Sequence, residues 1–265
     1  MSMRFTLLGT ASSTGVPRIG PNWGKCDPDN PKNRRRRCAL LVERRGPRGR
    51  TRVLVDTPPD LREQLLDARI GVLEAVLYTH DHADHTHGID DLRGIYFNTK
   101  QRVPIWADAV TRQTLESRFA YCFTQRPGSS YPAILEANDI VPPEPVRIDG
   151  PGGVIEAVPV LHDHGAMPSL GFRFGNVLYS PDICGVPDSA LPLLQGLDLW
   201  IVDALRQVTH STHFSVSDAL SWIKRVGAKR GILTHMTAEL DYEALSRQLP
   251  PNVEVGYDGM VVETD

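Results

Sequence analysis

The sequence has no run approaching the roughly 18 consecutive apolar residues that a membrane helix requires. Its N-terminus offers only Phe5-Thr6-Leu7-Leu8 before Gly9, short of the roughly 7–15 apolar residues of a secretory signal core. No membrane role is expected, and the reading is of a cytoplasmic protein. Cysteine is scarce: Cys26, Cys38, Cys122 and Cys184 are scattered, with no C-x-x-C pair. That pattern argues against a disulfide framework and fits a reducing compartment. Positive charge is not in surplus either. Lys and Arg number 29 against 32 Asp and Glu, a net charge of −3, whereas a dedicated duplex-DNA coat is strongly basic. Internal repeats and low-complexity tracts are lacking as well.

What is present is ordinary for a packed chain. Of 265 residues, 41% are hydrophobic and 23% charged, which excludes intrinsic disorder. At about 150 residues per domain the length allows one or two units, and a single α/β domain over residues 1–265 is the simpler reading. The 22 glycines and 21 prolines imply many tight connections between short elements.

The order of elements is α/β. A first strand at Met3–Leu8 runs into a small-residue loop, residues 9–15, followed by an irregular stretch over 17–37 that ends in Arg34-Arg35-Arg36-Arg37. That basic run either attracts an anionic substrate or forms a solvated loop. Strands are expected at Cys38–Glu43 and Arg52–Val55, then a short helix to Ala68 opened by a capping box at Asp60 and Glu63. A short buried strand, Ala75–Tyr78, leads to the histidine-rich segment. A helix over Asp90–Asn98, a strand at Val103–Ala107 and a helix at Ala109–Phe119 follow. Residues 122–152 form the loosest, lid-like section. Four more strands, Val154–Val160, Val177–Ser180, Leu199–Val202 and Gly231–Leu233, each deliver His or Asp at the C-terminal end. Helices are expected at Ser215–Val226, capped by Ser215 with Asp218, and at Ala238–Leu249.

The strongest chemical signal is His80-Asp81-His82-Ala83-Asp84-His85. In an extended chain His80 and His82 point to one side and can share a metal, while Asp84 and His85 face a second ion one short turn later. Imidazoles with carboxylates suit Zn²⁺, shifting toward Mn²⁺ or Fe²⁺ as oxygen content rises. A solvated loop binding metal adventitiously is the bland alternative. The buried strand before it and the matching residues downstream weigh against that.

H-x-H-x-D-H after a short apolar strand resembles the signature of the metallo-β-lactamase superfamily, and the likeness spans nearly the whole chain. The resemblance implies a four-layer αββα sandwich with a binuclear site for two divalent ions, Zn²⁺ or Mn²⁺. His80, His82 and His164 would hold one ion; Asp84, His85 and His235 the other; Asp182 would bridge them. Asp84 is carried as a catalytic candidate too. Within His162-Asp163-His164, adjacency to Gly165 favours His164 over His162. Asp56 in Leu54-Val55-Asp56-Thr57 matches another motif, more as a partner orienting an imidazole than as a ligand. Asp182 stands where zinc β-lactamases commonly carry Cys, which points to the phosphodiesterase, ribonuclease and thioester-hydrolase branches instead.

Closer likenesses narrow the branch. Leu8–Pro17, Pro31–Arg34, Asp60-Leu61-Arg62, His87–Arg93, Asp203–Arg206 and Thr212–Ser215 resemble the phosphoribosyl cyclic phosphodiesterase (PhnP-like) group. That group often carries a G-C-x-C-x-x-C cluster for an extra structural zinc. Here only Cys26 remains, in Gly24-Lys25-Cys26-Asp27-Pro28, so no third, cysteine-bound metal is expected.

Paired divalent ions about 3.5–4 Å apart lower the pKa of water toward about 7 and stabilise charge on a phosphoryl group. The leaving alkoxide then needs a proton, a task suited to histidine. His213, placed by the resemblance where related phosphodiesterases carry a catalytic histidine, is the candidate, with His210 in reserve. Its alternative is a histidine packing the following helix. Arg93 and Arg206 are candidates for gripping phosphate, each with a structural ion pair as the competing role. The expected activity is a phosphodiesterase acting on a small phosphorylated sugar or cyclic nucleotide. An RNase Z-like nuclease is the runner-up, and a non-catalytic binding protein the third reading. Section 122–152 holds only Arg126 and Arg147 as basic residues, poor material for an RNA-binding arm, so nucleic acid is disfavoured as a partner. A homodimer is compatible with the sequence.

Overall fold

The computed structural model describes residues 2–264. Its first sheet starts from β1 (Met3–Gly9), β2 (Ala39–Gly46) and β3 (Gly49–Val55), paired antiparallel. β4 (Ala75–Leu77), β5 (Val103–Ala107) and β6 (Leu135–Asp139) then add in parallel. The second sheet repeats this plan. β7 (Val146–Ile148), β8 (Ile155–His164), β9 (Met167–Phe174) and β10 (Val177–Ser180) run antiparallel. β11 (Leu199–Asp203), β12 (Arg230–Thr234) and β13 (Val253–Val255) continue parallel to β10. A last strand, β14 (Val261–Thr264), returns to pair with β1.

Period-two alternation decides which side chains meet. Phe5, Leu7, Leu40, Val42, Val53, Val55, Phe172, Phe174 and Ile201 point between the sheets and form the central core. The opposite face of the first sheet (Leu8, Leu41, Leu54, Val76) is covered by α1 (Leu61–Asp67), α3 (Leu92–Thr99) and α4 (Ala109–Arg118). Between α1 and α3 lies the single turn α2 (Ala83–Thr86), and α5 (Ala120–Phe123) follows α4. On the other side α6 (Val216–Val226) and α7 (Tyr242–Ser246) pack on Trp200, Val202 and Leu233. Helix, sheet, sheet, helix: the architecture is the expected αββα sandwich.

Helix α6 illustrates how local sequence sets an element. Val216, Ala219, Ile223 and Val226 recur on one buried face. Ser215 accepts from the Asp218 amide while the Asp218 carboxylate accepts from the Ser215 amide, a capping box, and Gly227 ends the helix at φ 68°.

The structure corrects several expectations. Residues 122–152 are not a loose lid: Leu135–Asp139 and Val146–Ile148 are edge strands of the two sheets, with Ile134, Leu135, Ile140 and Val146 buried. Asp60 does not cap α1; its carboxylate accepts from the Arg37 amide and pairs with the Arg37 guanidinium. The helix expected over Ala238–Leu249 is confined to Tyr242–Ser246, because Asp241 caps it late. Within the Arg34–Arg37 run Arg34 is exposed, but the other three do not form a free basic patch. Arg35 is buried and donates to the Leu240 carbonyl, Arg36 pairs with Asp67 and Asp258, and Arg37 with Asp60. Strand β9 escapes sequence reading because Pro168 and Gly171 interrupt it. Gly171 is required there: a Cβ would sit 2.3 Å from His162 Nε2.

Replacing Ser215 by Ala removes the α6 cap. It is expected to lower unfolding free energy by about 1 kcal/mol, measured as a drop in urea midpoint at unchanged m-value.

Candidate metal centre

Parallel strands of both sheets end at the same edge of the sandwich, and their C-terminal loops carry the polar residues. Asp56 follows β3, His80 follows β4, Asp182 follows β10, Asp203 closes β11 and His235 follows β12. Loops at strand C-termini are where α/β sheets commonly place ligands. Two of these residues, Asp56 (φ 66°) and His235 (φ 56°), sit in the left-handed region that few non-glycine residues adopt. The turn lets each side chain double back into the site.

His80, His82, His164 and Asp182 present ligand-type atoms within 4.8 Å of one another, and so do Asp84, His85 and His235. Asp182 lies between the groups. Its Oδ1 is 4.0 Å from His80 Nε2, 3.7 Å from His164 Nε2 and 3.5 Å from His235 Nε2, and its Oδ2 is 3.0 Å from His85 Nε2. All seven residues brought forward as ligands from the sequence converge here. His162 does not: it is fully buried, with Nε2 2.8 Å from Ser180 Oγ, and burial pushes its pKa down to about 3.

Hydrogen bonds fix the direction in which each imidazole points its lone pair. His85 Nδ1–H donates to Asp56 Oδ2 at 2.7 Å, since a carboxylate can only accept. Thr79 Oγ1 donates to the same carboxylate, which leaves it to accept from His80 Nδ1 at 2.9 Å. His164 Nδ1–H donates to the Thr212 carbonyl at 2.7 Å. With Nδ1 protonated in all three, the Nε2 lone pairs face inward. Buried His80 Nε2, His85 Nε2, His235 Nε2 and Asp182 Oδ2 have no hydrogen-bond partner among the described residues. Uncompensated groups of this kind are costly in a core, and divalent cations are the species that satisfy all of them together.

The electrostatics agree. Burial pushes the His80 pKa well below its ordinary value, and the neighbouring His85 adds to the effect. For His85 burial acts downward too, but Asp182, Asp84 and Asp56 reverse it and hold the pKa well above the usual range. Burial acts to raise the Asp182 pKa, yet His235 and His85 hold it well below the carboxylate range. The centre is thus built to keep Asp182 and Asp84 ionised and to hold positive charge.

Sequence reasoning missed Thr79, Thr212 and the role of Asp203. The Asp203 carboxylate is fully buried, accepts from His213 Nδ1 at 2.7 Å and from the Ile183 amide, and has its other oxygen 3.6 Å from His235 Nδ1. Its strand-end position and the Asp203–Arg206 motif marked the residue, but not its role, since its partners are 10, 20 and 32 residues away. His213 stacks on His235, ring centroids 4.8 Å apart. His210 lies behind it, its Nδ1 occupied by Thr212. Both open onto a cavity of ≈ 330 Å³ lined also by Ser12, Ser13, Thr14, Arg18 and Arg206. Arg206 anchors Nε and Nη2 on the Val208 and Thr209 carbonyls. Arg93, by contrast, pairs with Asp90 at 2.5 Å and lines other cavities, with Phe97 and with Tyr131.

Residues 51–236 match the family described as the beta-lactamase superfamily domain. The crystal structure of a diphosphatase from the PhnP family superposes over 100% of this chain and 98% of its own, with TM-score 0.89 and 34% identity. The chain belongs to the metallo-β-lactamase superfamily, in its PhnP-like branch. Zn²⁺-bound PqqB from Methylobacterium extorquens (TM-score 0.72, 17% identity, 98% of this chain and 99% of that one) shares the fold. So does the short form of human tRNase Z (TM-score 0.63, 19% identity, 98% of each chain). A Porphyromonas gingivalis protein named octanoyltransferase is 31% identical over 97% of this chain, which spans about half of that relative's length. No helix among the described residues is long and apolar enough to cross a membrane.

In the metal-free chain, protons on His85 and on His235, whose pKa is also raised, offset the buried carboxylates. A raised folded-state pKa contributes stability that is complete below the unfolded value of about 6.5 and is lost as pH rises through the folded value. Metal-loaded protein has no such loss. The melting-temperature gap between loaded and chelator-stripped protein is therefore expected to widen as pH rises above about 6.5, measured by differential scanning fluorimetry.

Proposed function

We propose that this protein is a metal-dependent hydrolase, a binuclear phosphodiesterase acting on a small phosphodiester such as a cyclic phosphoribose or cyclic nucleotide. One observation carries the reading: Asp182 reaches both histidine groups, as a carboxylate shared by two ions must. His80, His82 and His164 would hold one divalent ion, Zn²⁺ or Mn²⁺, and Asp84, His85 and His235 the other. When bound, such a pair supplies Lewis acidity that activates water and neutralises charge on a phosphoryl group.

The remaining work falls to the chain's own residues. His213 is the general acid. Asp203 holds its Nδ1 proton at 2.7 Å, which turns Nε2 away from that carboxylate and stabilises the imidazolium before it protonates a leaving alkoxide. Asp203 is thereby a positioning residue, and its second oxygen beside His235 ties the acid to a metal ligand. Arg206 is the phosphate-gripping arginine this geometry favours, because it shares a cavity with His213 while two of its nitrogens are already fixed to the backbone. The competing role for Arg93, an ion pair, fits its contact with Asp90.

The size and lining of the cavity support a small polar substrate. A volume of ≈ 330 Å³ with four hydroxyl side chains and two arginines suits a phosphorylated sugar better than an apolar acyl chain. An RNA substrate finds less support, since Arg35, Arg36 and Arg37 are consumed by internal contacts.

Three measurements test this. Purified protein should carry about two divalent ions per chain, and Asp182→Ala should fall below one by elemental analysis; unchanged content refutes the bridge. His213→Ala should retain both ions and lose roughly 10²–10⁴-fold in kcat on phosphodiesters with poor leaving groups, far less on bis-nitrophenyl phosphate. Equal losses on the two substrates refute the acid role. Asp203→Asn should show the same split in milder form.

A further inference from the structure

Helices α3 and α4 cover the first sheet over β5 and β6, and α1 packs at β1. On the same outer face β1, β2 and β3 leave a recess of ≈ 330 Å³ walled by the C-terminal turn of α1 and by β14. Its lining is dominated by guanidinium groups: Arg4, Arg36, Arg50, Arg52 and Arg69 against two carboxylates, Glu43 and Asp67, a formal surplus of three positive charges. Strand register accounts for part of this. Glu43 stands opposite Arg4 on one side and Arg52 on the other, a cross-strand ion ladder.

Glu263 on β14 stands opposite Arg4 and extends the ladder, which lowers the surplus to two positive charges without absorbing it. The buried Glu43 carboxylate accepts from Arg50 and Arg52, both at 3.1 Å, and can give Arg4 no more than a 3.9 Å approach. Arg4 Nε is buried without a hydrogen-bond partner among the described residues. Arg36 is satisfied by Asp67 and Asp258. The exposed Arg69 stands at the rim at φ 56°, just past the end of α1.

We propose that this recess is an anion site, independent of the metal centre, for a small ligand carrying two or more negative charges on oxygen, such as a phosphate monoester or sulfate. Planar guanidinium forks match tetrahedral oxyanions, and a concave low-dielectric wall strengthens the attraction. Arg52 lies on β3 four residues before Asp56, which follows that strand, so its backbone stands about 13 Å from the metal-side end of β3.

The test titrates metal-loaded protein with sodium sulfate, which avoids stripping the ions, and follows arginine Nε–Hε resonances by NMR. Sodium chloride at matched ionic strength is the control. Saturable shifts of Arg4 and Arg50 in the low-millimolar range, absent with chloride, are expected. Arg69→Gly removes a guanidinium at a backbone angle glycine adopts freely and should weaken sulfate binding at least threefold. Arg4→Gln should weaken it at least tenfold. Turnover of bis-nitrophenyl phosphate should stay within twofold in both. Linear shifts shared with chloride, or unchanged affinity in Arg69→Gly, overturn the proposal. Loss of turnover together with sulfate binding in that variant would show that the recess is not independent of the catalytic site.

Discussion

The organising constraint is one buried carboxylate among imidazoles. Asp182 is almost fully enclosed, yet its oxygens face His80, His85, His164 and His235 rather than hydrogen-bond donors of the backbone. In a medium of low polarity such a group is tolerated only with compensating positive charge. The fold supplies that either as protons on His85 and His235 or as divalent cations. Much of the surrounding structure follows from keeping this arrangement in register.

The two-sheet plan shows how. Each sheet joins an antiparallel half to a parallel half, and the parallel strands all finish at one edge. A parallel strand delivers its last residue at the same height as its neighbour, so Asp56, His80, Asp182, Asp203 and His235 meet although they span 180 positions of chain. A central core of interleaved aliphatic and aromatic side chains holds the sheets face to face. Close packing of that kind makes the geometry stiff, which a site depending on tenths of an ångström requires. Around it, a hydrogen-bonded shell does the aiming: Asp56 and Thr79 behind His80 and His85, the Thr212 carbonyl behind His164, Asp203 behind His213.

Much of this was legible in the sequence because the chemistry is concentrated there. His80 to His85 form a dense local pattern, and Asp182 and His235 each follow a short apolar strand. The capping box of α6 and the alternation in β1 to β3 are local rules obeyed locally. Reading failed where the deciding contact was distant. Strands β6 and β7 look like loop because each is short and gains its stability from a sheet edge formed elsewhere. Asp60 carries the signature of a helix cap but spends its carboxylate on Arg37, and the arginine run around it is consumed by Asp67, Asp258 and the Leu240 carbonyl.

By itself the sequence determined the residue types of the centre, the α/β order of elements and the shortage of disulfides, since composition, spacing and period are properties of the chain; the αββα sandwich was implied by the family resemblance. Only the tertiary structure decided that His164 and not His162 joins the cluster. The two are neighbours on β8 that point to the same side of the strand, and Gly171 opens a slot that buries one against Ser180 while the other reaches the edge. It alone decided that Arg206 shares the catalytic cavity and Arg93 does not, and that Asp203 aims His213. Those outcomes depend on which strands lie side by side, a relation no local pattern encodes.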